Sequence, residues 1–246
     1  MSDSTGRERL QRALDRRAAL GRPATFWLRD DDAVEPTEAL HRFLSLLNGL
    51  PVTLAVIPER TGPALAEALN GYPALRVALH GWSHRNHAPA SEKKQELGAH
   101  RPAEAVLAEL RNGFARLSAL HGPRLVPMLV PPWNRIAPAL VPELGPIGIG
   151  CLSVFGPERD RGLPELNTHV DVMDWHGTRG GRPADVLMGE IAARMETMGD
   201  GATMGLLTHH LVHDAAVDRF IEELLTLTAS HPGCRWAGSE TLVPQA

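Results

Sequence analysis

Three consecutive carboxylates, Asp30, Asp31 and Asp32, follow the apolar segment Thr25–Arg29. Adjacent carboxylates repel one another unless protons or a cation relieve the repulsion. The acidic run is therefore suited to binding a cation. An acidic loop, or a cap on a helix that begins near Pro36, is the structural alternative.

A pair of histidines, His80 and His84, closes another apolar segment. On an extended strand they would lie about 13 Å apart, at roughly 3.3 Å per residue, which is too far to share one ion. Gly81 and Ser83 favour a turn that folds the chain back, so that both imidazoles reach a zinc ion at about 2.0–2.1 Å. Two histidines and one carboxylate leave coordination positions open, as in catalytic zinc sites. His87 offers a different partner for His84.

Two clusters later in the chain offer further functional groups. His209 and His213 follow the apolar segment Met204–Thr208 and suit either a metal pair or ordinary capping positions. A single histidine of this cluster acting as general acid is more useful to a catalytic mechanism than a metal pair. Asp171 and Asp174 are suited to orienting a basic group or to capping the loop that follows them.

The loop after Val130 combines two prolines with an aromatic residue and an amide, in the order Pro131, Pro132, Trp133, Asn134. The prolines stiffen the backbone, and the face of Trp133 is suited to forming one wall of a sugar-binding pocket. A purely structural turn is the alternative for this loop.

The elements that must position these groups are short apolar segments alternating with amphipathic ones, which is typical of repeated β-α units and a mainly parallel sheet. In such folds functional residues collect at strand ends, where the polar clusters lie. The predicted strands are Thr25–Arg29, Val52–Ile57, Leu75–His80, Leu125–Val130, Gly148–Val154 and Met204–Thr208, with Glu165–Val170 as a weaker candidate. The predicted helices span about 5–20, 102–122, 183–199 and 214–231.

The composition is that of an ordinary globular domain. Hydrophobic residues make up 43% and charged residues 22%, and the net charge of -4 is not arranged into a basic stripe, which argues against nucleic acid as a partner. Two cysteines do not make a disulfide framework, and no apolar run is long enough for membrane insertion. We expect one domain spanning 1–246, a cytoplasmic location and a small-molecule or glycan substrate; the sequence does not predict an oligomeric state.

In their order and positions, these clusters resemble the motifs of the NodB-homology polysaccharide deacetylases, carbohydrate esterase family 4. The resemblance implies an α/β fold, a distorted (β/α) barrel of about seven parallel strands. The family's Thr-Phe-Asp-Asp motif resembles the acidic run, which implies Asp31 as catalytic base and Asp32 as metal ligand. Its His-(Ser/Thr)-x-x-His motif implies His80 and His84 as ligands, and its Leu-x-His motif implies His209 as catalytic acid.

The chain departs from the family pattern at two positions. Gly81 replaces the hydroxyl residue of the histidine motif, and Val130 replaces an arginine that orients the base. Arg29 or Arg135 would then take the place of that arginine, and Asp174, which resembles its acidic partner, would serve another role. These departures predict a divergent member of the family.

The resemblance and the residues together predict a metal-dependent hydrolase of linear amide bonds that removes an N-acetyl group from an amino sugar or glycan. Hydrolysis of a small non-glycan amide or ureide is the alternative within the same chemistry, and a non-catalytic carbohydrate-binding domain is the alternative outside it. One divalent ion is expected, zinc first and iron, cobalt or manganese as alternatives. The predicted substrate-binding residues are Trp82, Trp133, Asn134 and Asp174.

Overall fold

The computed structural model describes residues 4–243 and divides them between two packing units. Unit 1 contains residues 4–29, Thr37–Pro51 and Thr168–Ala237, and unit 2 contains Asp30–Pro36, Val52–Asn167 and residues 238–243. The single domain predicted over 1–246 stays a prediction, and its ends, 1–3 and 244–246, lie outside the described residues.

Eight strands are assigned within residues 4–243 and form one sheet. They are β1 (Ala24–Ala33), β2 (Val52–Val56), β3 (Leu75–Leu79), β4 (Leu125–Leu129), β5 (Cys151–Leu152), β6 (Val170–Asp171), β7 (Thr203–Thr208) and β8 (Cys234–Trp236). Their order is β5-β4-β3-β2-β1-β7-β6, with β8 beside β1. The pairs β2–β3, β3–β4, β4–β5, β6–β7 and β1–β8 are parallel, as the alternating pattern predicts.

In unit 2 the strands end in register, which sets the position of the polar residues that follow them. The β2–β3 pairing runs from Val52 opposite Leu75 to Val56 opposite Leu79. The backbone N–H of His80 continues this ladder to the Val56 carbonyl at 3.0 Å, and the N–H of Val130 donates to the Leu79 carbonyl at 2.7 Å. The carboxyl ends of β2, β3 and β4 therefore meet at one edge of unit 2. Its helices are α3 (Pro63–Ala68) and α4 (Ala103–His121).

Three of the four helices described in unit 1 begin at residues whose side chains cap them. The four helices are α1 (Gly6–Ala19), α2 (Glu38–Leu47), α5 (Ala184–Thr197) and α6 (Ala215–Thr228). Thr5 and Glu8 form a capping box at the start of α1, and Asp214 caps α6 by accepting from the Ala216 and Val217 N–H groups. Helix α1 packs against α5, where a Cβ on Gly6 would overlap the Asp185 carbonyl, so this approach requires glycine.

Three strand predictions are wrong in extent. Of the segment Gly148–Val154, only Cys151 and Leu152 pair with β4, because Gly148 has a φ of 90° and follows a 3-10 helix. In the weaker candidate Glu165–Val170, Glu165 forms an isolated parallel bridge with Leu152, and a regular strand, β6, begins only at Val170. Strand β1 is longer than predicted and includes the acidic run.

Two expectations about the remaining chain can be compared with the structure. Cys151 and Cys234 are both free and buried, as expected. Between residues 4 and 243, no helix combines the length and the apolar character that crossing a membrane requires.

Candidate metal centre

Unit 2 brings together the three side chains predicted as metal ligands. Asp32 lies near the end of β1, and one of its carboxylate oxygens, Oδ1, is 3.1 Å from His80 Nε2 and 3.3 Å from His84 Nε2. The three ligand atoms all lie within 4.8 Å of one another. Within the part of the chain that the structure describes, this is the one group of three or more His, Cys, Asp and Glu side chains close enough to hold an ion.

The orientation of His80 is fixed by its other ring nitrogen. Nδ1 lies 2.8 Å from the Val130 carbonyl, an acceptor, so the proton of the neutral ring belongs on Nδ1 and the lone pair of Nε2 points toward Asp32. The lone pairs of His80 Nε2 and Asp32 Oδ1 then face each other, so a cation or a second proton must lie between these two atoms. Burial opposes that proton, but the hydrogen bond to Asp32 and the charges of Asp31 and Asp32 outweigh burial and raise the pKa of His80. These ligands therefore fit a divalent cation.

The second imidazole reaches the site because the chain turns back after β3. The His80 and His84 ring centroids are 5.1 Å apart, far less than an extended strand would give, and His84 adopts a left-handed φ of 58°. Burial, followed by the charge on His80, lowers the pKa of His84 to about 4. The ring is therefore neutral at pH 7, which is the form that binds metals.

A buried carboxylate that sequence reasoning missed, Glu96, holds this turn. It is 1% exposed, and its Oε1 accepts hydrogen bonds from Ser83 N–H at 2.7 Å, from the Ser83 hydroxyl at 2.9 Å and from Trp82 N–H at 3.3 Å. Its Oε2 accepts from His84 N–H at 3.2 Å. Glu96 follows Lys93, Lys94 and Gln95, a polar stretch that resembles an ordinary solvated surface and gave no signal of this role.

The loop after β4 forms one side of the metal centre. Trp133 and Asn134 both adopt left-handed backbone conformations, with φ of 54° and 57°. The Trp133 ring lies 4.3 Å from that of His84 at 54° between the planes, and the Lys94 ammonium is 6.0 Å from the Trp133 centroid. Trp133 thus lies beside the candidate ligands, and its role as a wall of a sugar-binding pocket stays a prediction. Arg135 donates to the Lys94 carbonyl at 2.9 Å.

The predicted base also belongs to this unit. Asp31 is 3% exposed and close enough to the ring of His80 for its charge to help raise the pKa of that histidine. Trp82 is half-buried, and its carbonyl accepts from Glu59 N–H at 2.9 Å. Val130, which stands where the resembled motif has arginine, is fully buried and contributes its carbonyl to His80.

The other predicted residues belong to unit 1. His209 directly follows β7, and its ring meets that of Trp175 edge-on at 4.8 Å. Asp174 accepts from Gly177 N–H, Thr178 N–H and the Thr178 hydroxyl, and the Thr178 N–H is the main reason that the pKa of Asp174 is lowered. Asp174 therefore caps its own turn, which is the structural alternative described for it.

The remaining alternatives from the sequence also have defined positions. His213 lies against Phe43, with ring centroids 5.3 Å apart, and 3.9 Å from an Asp218 carboxylate oxygen. The backbone N–H of His87 donates to the Gln95 carbonyl at 3.0 Å. Arg29, one of the two arginines considered as a replacement, is fully buried within unit 1.

No family model matches the sequence, and no curated protein matches it. Solved structures do match in three dimensions. A candidate polysaccharide deacetylase from Mycobacterium smegmatis has a TM-score of 0.66 at 16% identity, covering 90% of this chain and 89% of that one. A family 4 carbohydrate esterase from Streptomyces lividans, in complex with acetate, has a TM-score of 0.59 at 17% identity, covering 88% and 92%.

A third structure was solved with a metal ion. A family 4 acetyl xylan esterase from Clostridium thermocellum, in complex with a cobalt ion, has a TM-score of 0.58 at 15% identity, covering 89% of this chain and 93% of that one. Near-complete coverage in all three cases confirms the predicted α/β architecture. The chain therefore has the fold of the polysaccharide deacetylases of carbohydrate esterase family 4.

Proposed function

We propose that this chain is a divergent family 4 deacetylase, a metal-dependent hydrolase that removes an N-acetyl group from an amino sugar or glycan. The observation that carries the proposal is the convergence of Asp32, His80 and His84, with the His80 lone pair directed at the carboxylate by the Val130 carbonyl. The fold neighbours include enzymes described as esterases and deacetylases, which supports acyl hydrolysis.

Two histidine nitrogens and one carboxylate oxygen are the donor set of catalytic zinc sites, and we propose zinc as the first candidate ion. Such an ion would polarise the acyl carbonyl and lower the pKa of a coordinated water from about 15.7 towards roughly 7. Iron, cobalt and manganese suit the same donors, so availability would decide among them.

The protein's own groups would move the protons. Asp31, buried beside the ligand Asp32, is proposed as the base that takes the proton of the attacking water. His209, at the end of β7, is proposed as the acid that protonates the departing amine. General acid or base assistance of this kind typically contributes about 10²–10⁴-fold in rate.

Aromatic and polar residues would hold the sugar. Trp133 lies against His84, so a sugar ring packed on Trp133 would place a neighbouring acyl group near the ligands. Asn134 follows Trp133 directly, and Trp82 lies two residues before His84; both are proposed as further contacts. Asp174 stays a proposed substrate residue, although its carboxylate already accepts three hydrogen bonds from its own turn.

The test combines metal content with turnover. The purified protein is expected to bind about one zinc ion and to release acetate from N-acetylglucosamine oligomers. His80→Ala should lose both the metal and the activity, Asp31→Asn should lose activity but keep the metal, and His41→Ala on the exposed side of α2 should keep both.

Retained zinc in His80→Ala would contradict the ligand assignment. Release of acid only from small acylamines or ureides would favour the alternative substrate class, and bound glycan without turnover would favour a binding domain.

A further inference from the structure

We propose that Glu96 is a positioning residue that fixes the turn between His80 and His84, so that His84 is presented to the metal before any ion binds. This inference rests on the proposed function, because a metal gives the arrangement its purpose. Glu96 itself is not a ligand in this proposal. Its carboxylate holds backbone and hydroxyl groups of the turn and acts on the metal only through His84.

The Glu96 carboxylate accepts hydrogen bonds from several donors of the turn. Three successive backbone N–H groups, those of Trp82, Ser83 and His84, converge on its two oxygens at 2.7–3.3 Å. Such a run of N–H groups forms a concave anion-binding site, and hydrogen bonds to an ionised acceptor are stronger than neutral ones. The Ser83 hydroxyl adds a fourth bond at 2.9 Å. Glu96 therefore supplies, from the same chain, the anion that these N–H groups bind.

The turn requires such a contact because its backbone is unfavourable. His84 has a φ of 58°, a left-handed conformation that only a few per cent of non-glycine residues adopt, with histidine among the residue types that adopt it more often. The Glu96 carboxylate bonds the N–H of this same residue, and the His84 imidazole approaches Asp32 from this backbone. Without that bond His84 would relax toward a commoner conformation, and Nε2 would turn away from Asp32.

Gly81 supports the same conclusion from the other side of the carboxylate. It has a φ of 59°, and a Cβ at this position would overlap Glu96 Oε2 and come within 2.7 Å of Pro132 Cγ. The absence of a side chain at position 81 therefore makes the space that the carboxylate occupies. A hydroxyl residue in the motif and a carboxylate from outside it are alternative ways of holding the turn, and this chain uses the second.

Glu96 is itself held in place by its neighbours. Gln95 accepts from the His87 N–H at 3.0 Å through its carbonyl, and its own N–H donates to the Asn86 side chain at 2.9 Å. On the other side, the fully buried Leu97 bridges to Ile136 and accepts from the Ala137 N–H at 2.8 Å. Because both flanks are anchored, the carboxylate is aimed at the turn independently of the ligands.

The first experiment measures amide hydrogen exchange in the metal-free protein. Glu96→Gln keeps the shape but leaves only one acceptor oxygen, so the N–H groups of Trp82, Ser83 and His84 should exchange at least about tenfold faster than in the wild type. The matched control is Glu92→Gln, an exposed carboxylate of the same segment that pairs with His100. Unchanged exchange in Glu96→Gln would overturn the proposal whether or not the protein binds metal.

The second experiment measures zinc affinity by chelator competition. Glu96→Gln should weaken binding by about 10–100-fold, as removal of groups that orient metal ligands typically does, and Glu92→Gln should leave it unchanged. A Kd within about twofold of the wild type would show that the carboxylate is only structural. If the wild type bound no zinc, the proposed function would fail, but faster exchange at the three amides would still support Glu96 as the anchor of the turn.

Gly81→Ala is a second variant, which disturbs the contact between the Glu96 carboxylate and the turn without altering Glu96 itself. Its Cβ should displace the carboxylate and weaken zinc binding to a similar extent. Gly81→Ala also meets Pro132 and strains a positive φ, so part of its effect is independent of Glu96; because the rest is the shared contact, the double variant Gly81→Ala with Glu96→Gln should lose less affinity than the two single losses multiplied. Losses that multiply in the double variant would mean that the two residues act separately, which would overturn the proposed link.

Discussion

The candidate metal centre of unit 2 and the helices of unit 1 differ in their backbone conformation and in the polarity of their buried side chains. Helices α1 and α6 start at capping residues that accept from N–H groups of their first turns, and their buried side chains are apolar except for Thr228 on α6. Around the metal centre, Asp32, His84, Trp133 and Asn134 all have a positive φ, which is uncommon for residues with side chains.

This difference shows where the chain has an uncommon backbone. The N–H of His84, which has a positive φ, donates to Glu96, and the Val130 carbonyl fixes the orientation of the His80 ring. Stability and metal affinity should therefore respond to different substitutions, and this expectation can be tested in order of effect size.

The largest effect on stability should come from the core of unit 1. Phe220 on α6 is 1% exposed, and Phe220→Ala should lower the free energy of unfolding by about 3–5 kcal/mol because it leaves a cavity. Urea unfolding measures this loss, and the exposed Val186→Ala on α5 is the control, with less than about 0.5 kcal/mol. Zinc affinity of the folded Phe220→Ala protein should be unchanged. A tenfold higher Kd for zinc would contradict the expectation that the core of unit 1 and the zinc affinity of unit 2 are independent.

The metal itself should give the next effect. An ion that binds only the folded protein stabilises it by about 2.7 kcal/mol when present at 100 times its Kd. Thermal unfolding with and without zinc should show this gain in the wild type and none in Asp32→Ala. Asp200→Ala, which removes an exposed carboxylate of unit 1, should retain the full gain. If Asp32→Ala kept it, the ion would be bound elsewhere.

The sequence predicted the regular parts of the fold because local rules decide them. The 3.6-residue periodicity and the capping residue Asp214 located α6, and alternation of apolar segments located β2, β3, β4 and β7. Strand β8 was missed, since three residues, Cys234–Trp236, carry too little pattern to be distinguished from a loop. Strand β1 was predicted too short because its last residues are charged, although Asp30 is fully buried.

The candidate site was predictable where its residue types are unusual and unpredictable where distant segments meet. A His-x3-His spacing with turn-forming residues between the histidines was enough to predict the chain reversal that brings the rings to 5.1 Å. Glu96 gave no signal, because its role depends on a loop folding back onto residues 82–84. The part played by the Val130 carbonyl was equally hidden, since any residue type supplies a carbonyl.

The smallest expected effect on stability concerns Asp214, the residue that caps α6 in unit 1. Asp214 accepts from Gly181 N–H through Oδ2 at 2.9 Å and from Ala216 and Val217 N–H through Oδ1, and the Gly181 bond is the first cause of its lowered pKa. Asn is an equally good capping residue, so Asp214→Asn removes the charge and one acceptor while keeping the cap. At pH 7 and low salt it should cost roughly 0.3–1 kcal/mol, the range for a charge at an exposed helix N-terminus.

The pH dependence of that cost separates charge from geometry. The pKa of Asp214 is lower in the folded protein than in the unfolded chain, where it is about 3.9, so the charge stabilises fully above that value. Its contribution is lost as the pH falls through the folded-state pKa. The stability gap between wild type and Asp214→Asn, from urea unfolding between pH 7 and pH 3, should therefore close in acid, while Asp200→Asn should show no comparable gap. A gap that stays constant to pH 3 would mean that the lost Gly181 contact, and not the charge, accounts for the cost.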